Sequence, residues 1–283
     1  MSPASKAYSS PAEFAAVDAA GDPAALIEFM DAAGATSGLT AARRALLGRL
    51  ALGNAAAALD VGCGSGADVA AMVRRMPPGA RAAGVDVSEA MIAEARRRTA
   101  SLGGQVSFRT GDASSLPYPD GEFDVCRAAT VLMHVPDPAR VVSEMARVTR
   151  SGGRVGVLEF DEGTLFLDHP DAGTTQRILD TFSDAKLQGR IGRQVPRLLR
   201  RAGLSHVSVT PLVNMGGPAL LRMMLSEHVA RLQEQGLLTG EQARGWWAEL
   251  DEQAQAGDFL GGAVMFVVTA SKPTGHADGA DPA

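Results

Sequence analysis

Three carboxylates and a run of glycines in the first half of the chain are spaced like groups that share one ligand. Leu59-Asp60-Val61-Gly62-Cys63-Gly64-Ser65-Gly66 is a short apolar run that ends in an acid and continues into alternating glycines. Gly84-Val85-Asp86-Val87 closes a second apolar run with an acid, and Gly111-Asp112-Ala113 follows a third. Glycines let a ligand approach the backbone where side chains would obstruct it. The two oxygens of Asp86 can accept both hydroxyls of a ribose. Asp112 can accept from the exocyclic amine of adenine, with the Ala113 N–H on the ring edge. Three strand ends that deliver a glycine loop and carboxylates to one edge describe a pocket for an adenine nucleoside. Val87 and Arg127, at the ends of the second and fourth apolar runs, join that candidate set. Met91, one helical turn past Ser88, either lies against the adenine face or is core. Each acid alone also reads as a turn residue or helix cap. Gly62, Gly64 and Ala67 satisfy G-x-G-x-x-G/A, so the loop alone does not separate this nucleoside from a nicotinamide dinucleotide.

Candidates for proton removal are fewer. His134 follows the fourth strand at the crevice, and an ordinary imidazole suits a base near neutrality; it reads equally as a histidine anchoring its loop. His169, in Leu167-Asp168-His169-Pro170, is a second candidate. Glu159 and Asp161 can orient a polar acceptor, and Tyr8 can fold over the ligand as a gate. No His, Cys and Asp cluster has the spacing of a metal site. Cys63 and Cys126 are expected as two buried thiols rather than a disulfide.

The elements that must position these groups alternate strand and helix from residue 57, which specifies a parallel sheet with right-handed crossovers. The expected fold is α/β: a Rossmann-like, doubly wound, mostly parallel seven-stranded sheet with helices on both faces. Strands are predicted at 58–61, 81–87, 105–110, 123–128, 154–160, 206–213 and 263–270. Helices are predicted at 67–75, from Ser88 as N-cap, at 137–148 and at 195–202. Residues 1–55 read as an N-terminal helical extension, with helices at 23–30 and 40–50. Residues 56–270 form the core, with insertions at about 161–190 and 216–258 placed over the crevice as lids or as a packed helix pair. Residues 271–283 read as a disordered tail.

Among the 283 residues, 27 are basic and 32 acidic, a net charge of −5. That argues against a nucleic-acid substrate, which needs a basic face; Arg96-Arg97-Arg98 and the arginines at 193–201 read as solvated helix faces. The first ten residues lack the apolar core of a signal peptide, and no apolar run approaches the roughly 20 residues of a membrane span. A soluble, cytoplasmic monomer or homodimer is expected.

Further stretches carry a family resemblance. Leu116-Pro117-Tyr118-Pro119-Asp120-Gly121-Glu122-Phe123-Asp124, Val131-Leu132-Met133-His134-Val135 and Val148-Thr149-Arg150-Ser151-Gly152-Gly153-Arg154 resemble the class I S-adenosylmethionine-dependent methyltransferases. The branch is that of the ubiquinone and menaquinone C-methyltransferases and related bacterial small-molecule enzymes. The resemblance covers about residues 57–160. It implies S-adenosyl-L-methionine as cofactor, with Asp60 shaping the turn near its amino-acid end, Asp86 on the ribose and Asp112 on the adenine. A bacterial subgroup is similar at 17–23 and 192–196; its Asp-Arg after the fourth strand is replaced here by Ala129-Thr130. The "(D/N)PPY" signature of amide and adenine N-methyltransferases is absent. The expected activity is methyl transfer to an O, N or C atom of a small molecule, a specialised metabolite or quinone-like ring, with oxygen first. Alternatives are a cyclase or rearrangement enzyme that binds the cofactor without transfer, a nicotinamide dehydrogenase, and a non-catalytic nucleoside-binding module.

Overall fold

The computed structural model of the chain describes residues 36–274 together with Asp18, Ile27, Glu28, Asp31 and Gly34. Tyr8, most of the predicted 23–30 helix and residues 275–283 lie outside the described residues. The strands are β1 (Ala57–Val61), β2 (Arg81–Asp86), β3 (Val106–Thr110), β4 (Phe123–Ala129), β5 (Thr149–Leu167), β6 (Ser205–Met215) and β7 (Gly261–Ser271). The helices are α1 (Ser37–Arg49), α2 (Ala67–Val73), α3 (Glu89–Arg98), α4 (Pro138–Val148), α5 (Ala172–Ala185), α6 (Val195–Arg201), α7 (Pro218–Glu234) and α8 (Gly240–Ala256).

Seven strands form one sheet in the order β3-β2-β1-β4-β5-β7-β6. Strands β1 to β5 pair in parallel, and β7 runs antiparallel between β5 and β6. This is the doubly wound, mostly parallel sheet that the alternating pattern specifies. All five residues of the central β1 are buried, whereas no residue of edge strand β6 is, as covering both faces of a parallel sheet requires. Leu59 and Val61 pack with Val141, Met145 and Leu199 of α4 and α6. Ala58 packs with Leu46, Val69 and Ile92 of α1 to α3 on the other face.

Local chemistry sets the helix starts. Ser88 Oγ accepts from Met91 N at α3, and Asp137 accepts from Arg140 N ahead of Pro138 at α4. A capping box of Thr239 and Gln242 opens α8. The two insertions pack on each other: Ile178 and Phe182 of α5, Leu221, Leu225 and Val229 of α7 and Trp246 and Leu250 of α8 form a third core. Helix α5 has no counterpart in the sequence reading, although Asp171 caps it by accepting from Thr174 N.

Two boundaries are corrected. Strand β5 extends well beyond 154–160, because β7 continues to pair with it past a register shift between Asp161 and Phe166. The tail does not begin at 271: Ser271 closes β7, and Lys272 Nζ donates to the carbonyls of Ala146 and Thr149 at 2.8 and 2.7 Å.

His169 is also corrected. It is buried between α8 and the start of α5, where Nδ1 accepts from Asp171 N (3.0 Å). Nε2 must then carry the proton and donate to Trp246 O (3.2 Å). The ring stacks on Trp246, 5.2 Å between centroids. With both nitrogens committed it is a structural link. His169→Ala is expected to lower unfolding stability by about 1–3 kcal/mol in a denaturant titration while leaving S-adenosylhomocysteine affinity unchanged; an affinity loss with intact stability would reverse that assignment.

Candidate cofactor and acceptor site

The carboxyl ends of the parallel strands open into one cavity of about 1130 Å³, where an open α/β sheet binds ligands. Asp60, Gly62, Gly64, Asp86, Val87, Met91, Asp112, Ala113, Arg127 and His134 all line it. Gly66 and His169 do not.

The glycine loop is tied over the end of β2. Gly62 N and Cys63 N both donate to Val85 O (2.8 and 3.0 Å), and Gly64 N donates to Asp86 Oδ2 (2.8 Å). Ser88 N donates to Asp86 Oδ1 (3.0 Å). A carboxylate so clamped is fixed in orientation yet keeps acceptor capacity for a ligand. Burial pushes the Asp86 carboxyl above its usual range, opposed by the backbone N–H groups of Ser88, Gly64 and Val87. Asp112 Oδ1 accepts from Ser114 N (2.7 Å), which leaves Oδ2 for an amine. Val87 is 53 % exposed and Met91 is buried; both supply the cavity with apolar surface.

Two glycines have different tasks. A Cβ on Gly64 would meet nothing within 4 Å, so the space beside it is free for a ligand. Gly66, assigned to the cofactor on sequence, instead caps α2 at φ +82°, where a Cβ would press on Ala95 Cβ (3.0 Å) and Phe108 Cζ (3.1 Å). Its missing side chain lets α2 pack against α3 and β3.

Arg127 is 1 % exposed in the centre of the sheet. Its Nη1 lies 3.1 Å from Asp60 Oδ1 and 2.9 Å from Asp68 Oδ2, and Arg43 adds a second cation 3.5 Å from Asp68. Burial raises the Asp60 carboxyl against the pull of Arg127. Burial works on Asp68 too, but the Arg127 and Arg43 guanidinium groups outweigh it and hold that carboxyl low. Nη1 is thus engaged by both carboxylates, whereas Arg127 Nε makes no hydrogen bond to any described residue. The guanidinium lines the cavity, with its charge met by the two aspartates. The free thiols Cys63 and Cys126 are both buried, and burial pushes both well above the usual thiol range.

Two described residues of the amino-terminal part, Asp18 and Asp31, reach this end as well. Asp18 accepts from Ser88 Oγ (2.6 Å), Glu89 N (2.8 Å) and Ala90 N (3.1 Å), a second cap on α3 beside Asp86. Asp31, which lines the cavity, pairs with Arg98 at 2.6 Å.

Beyond the nucleoside end, His134 sits in a 3₁₀ turn, Leu132–His134, after β4. Glu159 secures that turn by accepting from Val131 N (2.8 Å) and Leu132 N (2.6 Å). Burial pushes the Glu159 carboxyl up to about 8 against those N–H groups. Asp161 is fully buried and clamped by Arg193 through Nε (2.5 Å) and Nη2 (2.8 Å). Neither acid lines the cavity, so both support it rather than face an acceptor. Burial, helped by Lys186, pushes the His134 imidazole down to about 4.

Sequence reading missed Glu162, Lys186 and His228, which share the far wall with Phe182, Leu221 and Met224. Burial lifts the Glu162 carboxyl to about 7 against Lys186, and lowers the His228 imidazole to about 4. Glu162 follows Phe160 on the cavity face of β5, beyond the point at which the sequence reading ends the fifth strand.

Asp86→Ala is expected to weaken S-adenosylhomocysteine binding at least tenfold by calorimetry, as loss of hydrogen bonds to a charged group worth about 1.5–3 kcal/mol implies; unchanged binding would remove it from the site. Gly66→Ala should do the reverse, costing about 1–3 kcal/mol of stability through overpacking while the folded protein keeps its affinity; a variant as stable as the parent would contradict the packing role.

Residues 59–157 match the family model described as a methyltransferase domain. The methyltransferase GfsG of Streptomyces halstedii is 32 % identical over 76 % of this chain and 73 % of its own length. Nocamycin O-methyltransferase of Saccharothrix syringae is 38 % identical over 35 % of the chain and 36 % of its own length. The crystal structure of the [4+2]-cyclase SpnF is similar at a TM-score of 0.53 and 26 % identity, covering 86 % of this chain and 84 % of that one. The glycine loop, the clamped Asp86 and the open space beside Gly64 fit the same cofactor that these matches imply. The chain belongs to the class I S-adenosylmethionine-dependent methyltransferases, and S-adenosyl-L-methionine is its cofactor.

Proposed function

We propose that this enzyme methylates an oxygen atom of a largely apolar small molecule held between the sheet edge and helices α5 and α7. The observation that carries this reading is the continuity of the cavity. It runs from Gly64 and Asp86 past Val131 and His134 to Phe182, Leu220, Leu221 and Met224. At about 1130 Å³ it exceeds the roughly 300–1,000 Å³ of an ordinary single-ligand pocket, so a cofactor leaves space for an acceptor. The acceptor end is largely apolar on α7, where methionines accommodate varied shapes, with ionisable groups from α7, β5 and α5 among them.

S-adenosylmethionine supplies a methyl group already activated by its sulfonium charge, so alignment and a proton acceptor are what the chain must add. The secure 3₁₀ turn at Leu132–His134 and the clamped Asp86 serve alignment. The two insertions, which share a core of their own, act as the lid. The oxygen target is supported by the likeness to nocamycin O-methyltransferase, and a small-molecule acceptor by the net charge of −5, which disfavours a polyanionic substrate.

The likeness to SpnF favours a second reading, in which the cofactor is bound without transfer and the cavity promotes a cyclisation. One experiment separates the two. The protein is incubated with methyl-labelled S-adenosylmethionine and a panel of hydroxyl-bearing macrocycles, phenols, amines and quinols, with products read by mass spectrometry. Label is expected in an ether of a panel member; products without label but with a changed skeleton would favour the cyclase, and label on carbon or nitrogen alone would refute the oxygen target.

A further inference from the structure

We propose that Glu162 is the catalytic base of the acceptor site, with Lys186 as the positioning residue that keeps it ionised. This rests on the O-methyltransferase reading above. Three observations place Glu162 there. Glu162 lines the cavity on the same face of β5 as Phe160, and the register shift between Asp161 and Phe166 takes residues 162–165 out of the β5–β7 ladder. The released backbone is satisfied: Glu162 N donates to Gly189 O (2.8 Å), and Thr164 Oγ1, which donates to Asp161 O (2.6 Å), accepts from Val264 N (2.9 Å). The side chain is therefore held in the cavity wall by a built feature. It is 8 % exposed, and its Oε2 has no hydrogen-bond partner among the described residues, an unusual state for a buried carboxyl with no task.

Glu162, His134, Lys186 and His228 line the one cavity from β5, the turn after β4, the end of α5 and α7, with the Lys186 ammonium over the Phe182 ring (4.9 Å), and that ammonium acts on the other three. Three charged groups near Glu162 have separate engagements. Asp161 is paired with Arg193 and Glu159 with the backbone of the 3₁₀ turn. Arg190, packed at Gly163, pairs with Asp184 at 2.8 Å. Glu227 also lines the cavity from α7. The imidazoles of His134 and His228, both pushed down to about 4, stay neutral at pH 7 and are weak bases there. A carboxyl lifted to about 7 by burial is matched to proton removal near neutrality.

The step balances without a further reactant. The acceptor hydroxyl gives its proton to the Glu162 carboxylate as its oxygen forms a bond to the methyl carbon. The carbon–sulfur bond breaks with its electron pair on sulfur. The products are the methyl ether, S-adenosylhomocysteine and a Glu162 carboxylic acid that returns its proton to solvent.

The test has an arm that needs no acceptor. The protein, labelled with ¹³C at glutamate carboxyls and loaded with S-adenosylhomocysteine, is titrated by NMR, with Glu162→Gln assigning the signal. A midpoint near neutrality that moves upward in Lys186→Met is expected. A midpoint in the ordinary glutamate range, or one indifferent to Lys186, overturns the proposal. In the second arm, with the acceptor found by the labelling screen, Glu162→Gln should lower kcat at least a hundredfold with S-adenosylhomocysteine affinity unchanged. Glu162→Asp should recover part of the rate, and Lys186→Met should shift the acid limb of the pH profile to higher pH. A Glu162→Gln enzyme with near-parental kcat overturns the proposal; cofactor binding with no labelled product from any acceptor would instead count against the parent reading.

Discussion

The buried ion pair between Asp60 and Arg127 is the contact on which the rest of the site depends. The two residues are direct partners in the β1–β4 ladder, so the pair locks the central strands at the point where they end. Asp68 brings the first turn of α2 to the same guanidinium, and Arg43 attaches α1 to Asp68. Four elements thus meet on one fully buried charge. Removing one member of such a pair typically costs about 3–5 kcal/mol, because the remaining charge has no water to turn to. The expense of burying these groups is offset only where several partners share them, which is the arrangement at Asp68. With β1 and β4 fixed, Gly62 sits under Val131, so close that a Cβ there would overlap its methyl groups. The glycine loop and the turn after β4 consequently hold one relative position, and the cofactor end of the cavity is preformed.

The acceptor end is built differently. Its wall comes from α5 and α7, which share a core with α8 separate from the two cores on the sheet. That core can change its lining residues without disturbing the Asp60–Arg127 centre. A fold that keeps one cofactor while serving varied acceptors needs this division, since the sulfonium asks the protein for alignment and little else. Ala129-Thr130 lies at the seam. Thr130 adopts φ 55° and donates its N–H to Leu158 O at 2.7 Å, so the residue that departs from the related bacterial pattern stands in a constrained backbone at the cavity wall.

The sheet was legible because each parallel strand is an apolar run that ends in a glycine or an acid, and the strand ends bring those residues to one edge. That Asp60, Asp86 and Asp112 share one cavity was therefore legible from position. Gly66 was not separable from Gly64, since both are small residues at positive φ and only the neighbours, Phe108 in one case and open space in the other, distinguish their tasks. His169 resembled a base because a histidine in a loop carries no sign of a Trp246 carbonyl contributed from more than seventy residues away. Helix α5 was missed although Asp171 caps it, because its apolar face meets other inserted helices and not the sheet. Glu162 was missed because the predicted fifth strand ends at Phe160, whereas pairing with β7 carries β5 on to Leu167, a long-range fact with no local signature.

A crystal structure of the protein with S-adenosylhomocysteine tests most directly whether the strand ends converge on one nucleoside. The expected result is a ribose whose hydroxyls bond Asp86, an adenine between Val87 and Met91 with its amine at Asp112, and the amino-acid end beside Gly64 and Arg127. A cofactor bound elsewhere, or one in this cavity with its ribose out of reach of Asp86, would contradict it.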